Sequence, residues 1–302
     1  MMLGKILRND FKKNIGRNLI LLLFMTLSSA VAVSVCLIIM QLFASISDMY
    51  ETAQPPHFLQ MHKGELNQRD IDEFNEDYPG ITYWQTVPMI DIHGEDLTVR
   101  NSDGNAFSMS DCSLDISLVR QNEKRDLLLD ANRKKLEIAP GEIGVPVILL
   151  EQYEMNIGDT LTLKNGDLEK TFCVSDYVYD AQMNSTLCSS TRFLISDEDF
   201  AELYGRTGET EYLIEAYFTD TNLAAGYQTA YEQDDRNLPK DGQAVTYTVI
   251  FLLSALTDIM MAMVLLLAGI LLIAIALICL RYCLLTELAE DGMNKYIKEM
   301  NG

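Results

Sequence analysis

Positive charge is scarce in this chain. Its 302 residues hold 23 Lys and Arg against 44 Asp and Glu, a formal net charge of −21. A nucleic-acid binder needs a basic face to displace counterions from phosphate, so that class is excluded. Histidine is scarcer still: His57, His62 and His93 are too few and too scattered for a zinc site. His57 and His62 would share a face only on a helix, directly after the Pro55-Pro56 pair. No Gly-rich loop ends in Gly-Lys-Ser/Thr, so ATP hydrolysis belongs to another polypeptide. There is no GxSxG elbow, and residues 91–103 lack the ligand spacing of a calcium loop. No catalytic set, cofactor or metal site is expected.

Cysteine is also sparse. Cys36 and Cys279 fall in apolar runs and Cys283 follows one, leaving Cys112, Cys173 and Cys188 elsewhere. An odd number cannot form a closed disulfide framework, so free thiols are the default, with a Cys173–Cys188 bridge as the alternative.

What the chain does have is two long apolar runs. Residues 19–44 and 259–280 carry no charged side chain. At about 1.5 Å per residue each is long enough to cross a hydrocarbon core about 30 Å thick. Lys12, Lys13 and Arg17 followed by small residues at 28–32 also fit a cleaved leader, but the apolar run exceeds the 7 to 15 or so residues such leaders use. Basic residues precede the first run (Lys5, Arg8, Lys12, Lys13, Arg17) and follow the second (Arg281, Lys295, Lys298). The positive-inside rule then puts both termini in the cytoplasm of a multi-pass protein of the cell membrane, with the middle outside.

Charge follows the same partition. Residues 48–245 carry 15 basic and 38 acidic side chains, a net of −23, and the remainder carries 8 and 6, a net of +2. The outer acidity is a solvated face that also suits a cationic peptide or protein ligand. Residues 246–258 read as an amphipathic stalk, because Asp258 inside a longer span would cost about 3 kcal/mol.

The middle reads as one α+β domain. Helices are predicted over 68–77, capped by Asn67 and stapled by Leu66 and Ile71, and after Ser196, with Asp199 three residues on. A third covers 222–234. The acids at 70–73 and 197–199 fall in first turns, where they complement the helix dipole. Alternation around Asn165-Gly166 predicts a hairpin over 159–179. Weaker strands are predicted over 81–92, 97–107, 114–119 and 211–218.

A resemblance begins at residues 141–163, GEIGVPVILLEQYEMNIGDTLTL. This stretch is similar to the periplasmic core signature of FtsX/MacB-type ABC transporter permeases: a strand, a short helix, then a Gly-Asp pair opening a strand, here Gly158-Asp159. Residues 172–204 are similar to the family's strand, polar excursion, strand and capped helix. Residues 10–37 resemble its basic elbow and first span. After the second span, RYCLLTELAEDGMNKYIKEMNG resembles the helix that couples to the ATPase, although its acids are shifted and its closing turn carries one extra residue.

The resemblance implies an α+β fold with two transmembrane helices flanking an extracytoplasmic domain of MacB periplasmic-core type. The expected parts are an elbow (1–18), a span (19–44), the outer domain (45–245), the stalk (246–258), a second span (259–280) and a coupling helix (281–302). The implied partners are a cytoplasmic ABC ATPase, met by Leu285, Glu287, Leu288, Asp291, Tyr296 and Met300, and a second permease or homodimer mate. Family members have at least four spans, so the chain is expected to be the N-terminal part of a longer permease or one half of a split one. The alternative is a bitopic sensor or accessory protein with an external ligand domain.

Overall fold

The computed structural model describes residues 15–185 and 187–300; most of the expected elbow lies outside them. The chain forms two compact units, one of residues 1–45 with 258–302 and one of residues 46–257.

The first unit is built from parts of two long helices, α1 (Ile15–Ala53) and the last helix of the chain, α5 (Tyr247–Met300). Each contains a stretch long and apolar enough to cross a membrane, Leu22–Ala53 and Ile259–Tyr282. Very little of either stretch is buried: Leu23, Leu27 and Met40 on α1 and Val264, Leu267 and Leu271 on α5 are exposed. Soluble proteins rarely expose contiguous apolar surface beyond a few hundred Å², whereas lipid solvates such rows. The chain is therefore a membrane protein. The two helices meet where Gly269 leaves room for Val35; a Cβ at Gly269 would lie 3.8 Å from a Val35 methyl.

The second unit is α+β, with one eleven-stranded sheet in the order β11-β1-β10-β2-β5-β9-β6-β8-β7-β3-β4. In chain order the strands are β1 (Phe58–Lys63), β2 (Ile81–Ile92), β3 (Leu97–Arg100), β4 (Ala106–Ser108), β5 (Asp115–Val119), β6 (Glu142–Pro146), β7 (Thr160–Asn165), β8 (Leu168–Val178), β9 (Ser190–Ile195), β10 (Glu209–Phe218) and β11 (Ala244–Thr246). Pairing is antiparallel except for β5 with β9 and β6 with β8. Helices α2 (Gln68–Asp77) and α4 (Leu223–Gln233) pack an aromatic layer on β1 and β10: Phe74, Tyr227 and Tyr231 surround Phe58, with ring centroids 4.8 Å apart for Phe58 and Tyr227. A second core cluster joins β3, β6, β7, β8 and β9 to α3 (Asp197–Leu203) through Leu161, Phe172, Phe193 and Phe200.

The local expectations are met with adjustments. Ser196 caps α3 by accepting a bond from Asp199 N at 3.0 Å. Asn67 precedes α2 but makes no side-chain cap bond, because its φ and ψ of −91° and 83° differ from the usual cap geometry. The hairpin turns at Gly166-Asp167, one residue later than predicted, since Asn165 pairs with Leu168. The strand predicted over 97–107 is two strands, β3 and β4. The start of the expected stalk, Thr246, is the end of β11, and the helix beginning at Tyr247 runs unbroken to Met300.

Candidate functional site

The predicted coupling residues lie in the final turns of α5. Successive residues turn about 100° around a helix, so Leu285, Leu288, Tyr296 and Met300 fall within about a third of its circumference. All four are exposed, Leu288 at 69%. Glu287 and Asp291 belong to the same helix; their side chains, like those of Asp258 and Cys283, lie outside the described residues.

The stretch carrying the resemblance has a structural logic. Gly158 takes φ +95°, which suits glycine, and its N–H donates to Val174 O at 2.8 Å. Asp159 is buried, and its carboxylate accepts from Asn156 N at 2.8 Å and Ser102 N at 3.0 Å. The pair therefore opens β7 and fixes the β3–β4 turn to it.

Sequence reasoning missed the densest polar cluster. Arg192 on β9 is 2% exposed and holds two carboxylates: Asp180 at 2.7 Å from both Nε and Nη2, and Asp126 at 3.0 Å from Nη2 and 2.5 Å from Nη1. Glu215 on β10 is fully buried and accepts from Gln85 Nε2 and Tyr217 Oη, both at 2.7 Å. Burial first, and then the neighbouring Asp126 carboxylate, push the Glu215 carboxyl well above the usual carboxylate range. At Asp126 desolvation opposes the charge, but the Arg192 guanidinium together with hydrogen bonds from Arg192, Glu215 and Gln182 holds the carboxyl below the usual carboxylate range.

Asp126 also ends a joint. It sits at φ +52°, and its N–H donates to Gln54 O at 3.0 Å, while Leu127 N donates to Ala53 O at 2.8 Å. Arg133 of the same loop pairs with Asp48 on α1. The other end of the domain is held close by: Tyr247 N donates to His57 O at 2.7 Å, and the Tyr50 ring meets the rings of Tyr247 and Phe251 edge-on. Both chain ends of the unit of residues 46–257 are thus tied to its sheet and to each other by short bonds.

The cysteine and histidine alternatives resolve simply. Cys173 and Cys188 are unpaired. Burial pushes the Cys188 thiol up to about 11, which leaves it unreactive at neutral pH. His62 lies on a strand rather than a helix, bonded to Asp241 and to Glu65 O, each at 2.9 Å, and His57 Nδ1 accepts from Phe218 N. Among the described residues no three His, Cys, Asp or Glu side chains are grouped to hold a metal.

A polar cleft of about 290 Å³ opens between β2 and the segment that follows β5, lined by Tyr83, Gln85, Thr86, Arg120, Asn122 and Glu123, with Asp197 at the head of α3.

No family model matches the chain, and no curated protein matches it. Among solved structures it is similar to the periplasmic region of MacB from Actinobacillus actinomycetemcomitans, at 9% identity and a TM-score of 0.37, covering 64% of this chain and 90% of that one. It is similar to the extracellular domain of the noncanonic ABC-type transporter YknZ from Gram-positive bacteria, at 11% identity and a TM-score of 0.30, covering 63% and 98%. A putative lipoprotein from Bacillus anthracis is similar at 8% identity and a TM-score of 0.36, covering 63% and 96%.

Proposed function

We propose that this chain is a permease subunit of the FtsX/MacB type, in which closure of a separate cytoplasmic ATPase moves an extracytoplasmic domain. Both termini are cytoplasmic and the unit of residues 46–257 is outside, as the basic flanks of the two runs require. The face carrying Leu285, Leu288, Tyr296 and Met300 seats in a groove of the ATPase, and Glu287 and Asp291 of the same helix add acidic contacts beside that groove. A second permease or a homodimer mate completes the helix set. The chain itself supplies no ATPase chemistry; its work is transmission, in the service of export, peptide handling or regulation at the cell envelope.

The observation that carries this reading is the way the unit of residues 46–257 grips the helix ends that lie within it. Helix α1 reaches Ala53 and α5 starts at Tyr247, and the carbonyls of Ala53, Gln54 and His57 are bonded directly to the domain's loop and to α5. A displacement of either helix end is therefore passed to β1 and to the Asp126 loop. A flexible tether would dissipate it.

Purification from native membranes in mild detergent, through a tag on the outer unit, tests the reading. A near-stoichiometric ATPase in the eluate supports it, and an eluate without one overturns it. Leu288→Glu and Tyr296→Glu are expected to lose the ATPase at least tenfold while the outer unit melts unchanged. Retention of the ATPase by both variants would remove the coupling role from this face.

A further inference from the structure

The eleven-stranded sheet forks. β5 pairs with β2 only at Ile90, Asp91 and Ile92, and the chain then leaves toward the Asp126 loop. Residues 83–89 of β2 therefore have β10 on one edge and no strand on the other. Alternate residues of an antiparallel strand turn both N–H and C=O to the same edge, so about half of these peptide groups face the fork. Among the described residues, no loop carbonyl or side chain accepts from an N–H of residues 83–87 or 89, and Pro88 has no N–H to offer. The cleft of about 290 Å³ occupies this gap.

What a ligand would meet there is limited. Gln85 is already committed to Glu215, Tyr83 and the Arg125 carbonyl. The Asn122 amide donates to Asp126. Two kinds of group remain: the free edge of β2 and the carboxylates of Glu123 and Asp197, which form no ion pair among the described residues; the Thr86 hydroxyl is closed off from the cleft. Among the described residues Arg120 is the one cation lining the cleft, and its guanidinium lies over the Phe200 ring, 5.7 Å from the centroid.

An unpaired strand edge recruits extended backbone. This one lies in a cleft of about 290 Å³, a volume suited to a short extended segment. Two carboxylates against one guanidinium, in a region of net charge −23, favour the end that carries an ammonium. We infer that the fork between β2 and β5 binds the free amino end of an extended peptide, with its first peptide groups on the β2 edge and its ammonium at Glu123 and Asp197. This does not rest on the ATPase reading, and each can fail alone.

Isothermal titration of the full chain in detergent, with trialanine and with N-acetyl-trialanine as probes, tests the proposal. Trialanine is expected to saturate below about 10 mM, the weak limit for a short peptide. Acetylation removes the ammonium and keeps the backbone, and is expected to weaken binding at least tenfold. The double variant Glu123→Gln, Asp197→Asn changes only exposed side chains, and should bind trialanine no better than the native protein binds the acetylated probe. Absence of saturation, equal binding of the two probes, or trialanine binding unchanged in the double variant would each overturn the proposal.

Discussion

The two units of this chain use the same apolar residues under opposite rules. In the outer unit Leu161 is 0% exposed and packs with Phe172 and Phe193, while on α5 Leu271 is 62% exposed. Water drives the first inward, and lipid leaves the second where it is, since hydrocarbon gains nothing by excluding leucine. Polar groups invert as well. The outer unit encloses Arg192, Asp126, Asp180 and Glu215 in one bonded cluster, whereas the apolar stretches of the first unit carry no ionic side chain between residues 19 and 44 or 259 and 280. Stability in the outer unit is therefore concentrated in contacts that a single substitution can remove; in the membrane unit it is spread over backbone bonds and length.

The largest effect should come from Arg192→Leu. Two carboxylates would stay buried without their partner, a loss of about 3–5 kcal/mol. The outer unit's melting temperature, followed by near-ultraviolet circular dichroism of the detergent-solubilised chain, should fall by about 10 °C or more, or the variant should not accumulate. A variant melting with the native protein would mean that the ion cluster is dispensable. The next contrast is a matched pair. Leu161→Ala should cost about 2–5 kcal/mol through the cavity it leaves, and Leu271→Ala should leave the same melt unchanged, because its side chain faces outward. Equal effects would erase the distinction between the units.

Glu215 sharpens the contrast through pH. Its folded pKa lies above the ordinary 4.5, so its stabilising proton is fully held below that value and its contribution is lost as pH rises toward the folded pKa. The melting temperature should accordingly fall as the medium moves from mildly acidic to alkaline. Glu215→Gln keeps bonds to Gln85 and Tyr217 within reach and should flatten that slope, with its largest relative gain at the alkaline end. An unaltered slope would assign the pH dependence to other groups.

How much of this was legible depended on range. Helices α2, α3 and α4 and the β7–β8 hairpin carry their signals within a dozen residues: apolar spacing, a cap, a turn that tolerates positive φ. Strands β6 and β9 were legible through the resemblance, in whose Gly158-Asp159 pair the aspartate proves to be a buried anchor. Strand β1 was not. FLQMHK lacks clean alternation and becomes a strand because β10 and β11 flank it on both edges. The Arg192 cluster joins residues 66 positions apart, and an arginine in a buried strand reads locally as an interruption. The fork is more remote still, because it exists only through sheet order: β5 prefers β9 and abandons β2 after three pairs.

The smallest predicted effect separates two signals that look alike in sequence. Ser196 and Asn67 each precede a helix and each is a favoured cap residue. Ser196 Oγ accepts from Asp199 N at 3.0 Å and donates to the Asp199 carboxylate at 2.8 Å, inside the core of the outer unit. Asn67 makes no such bond, and the first turn of α2 is held instead by Ile71 and Phe74 beneath it. Ser196→Ala should therefore cost about 1 kcal/mol, and more if Asp199 is left short of a donor, although Lys170 and Gly141 N still reach that carboxylate at 2.7 Å. Asn67→Ala should stay within a few tenths of a kcal/mol in the same chemical melt. Equal costs would place the value of a cap in the residue's intrinsic preference rather than in the bond it makes, and would make the two helix starts equivalent after all.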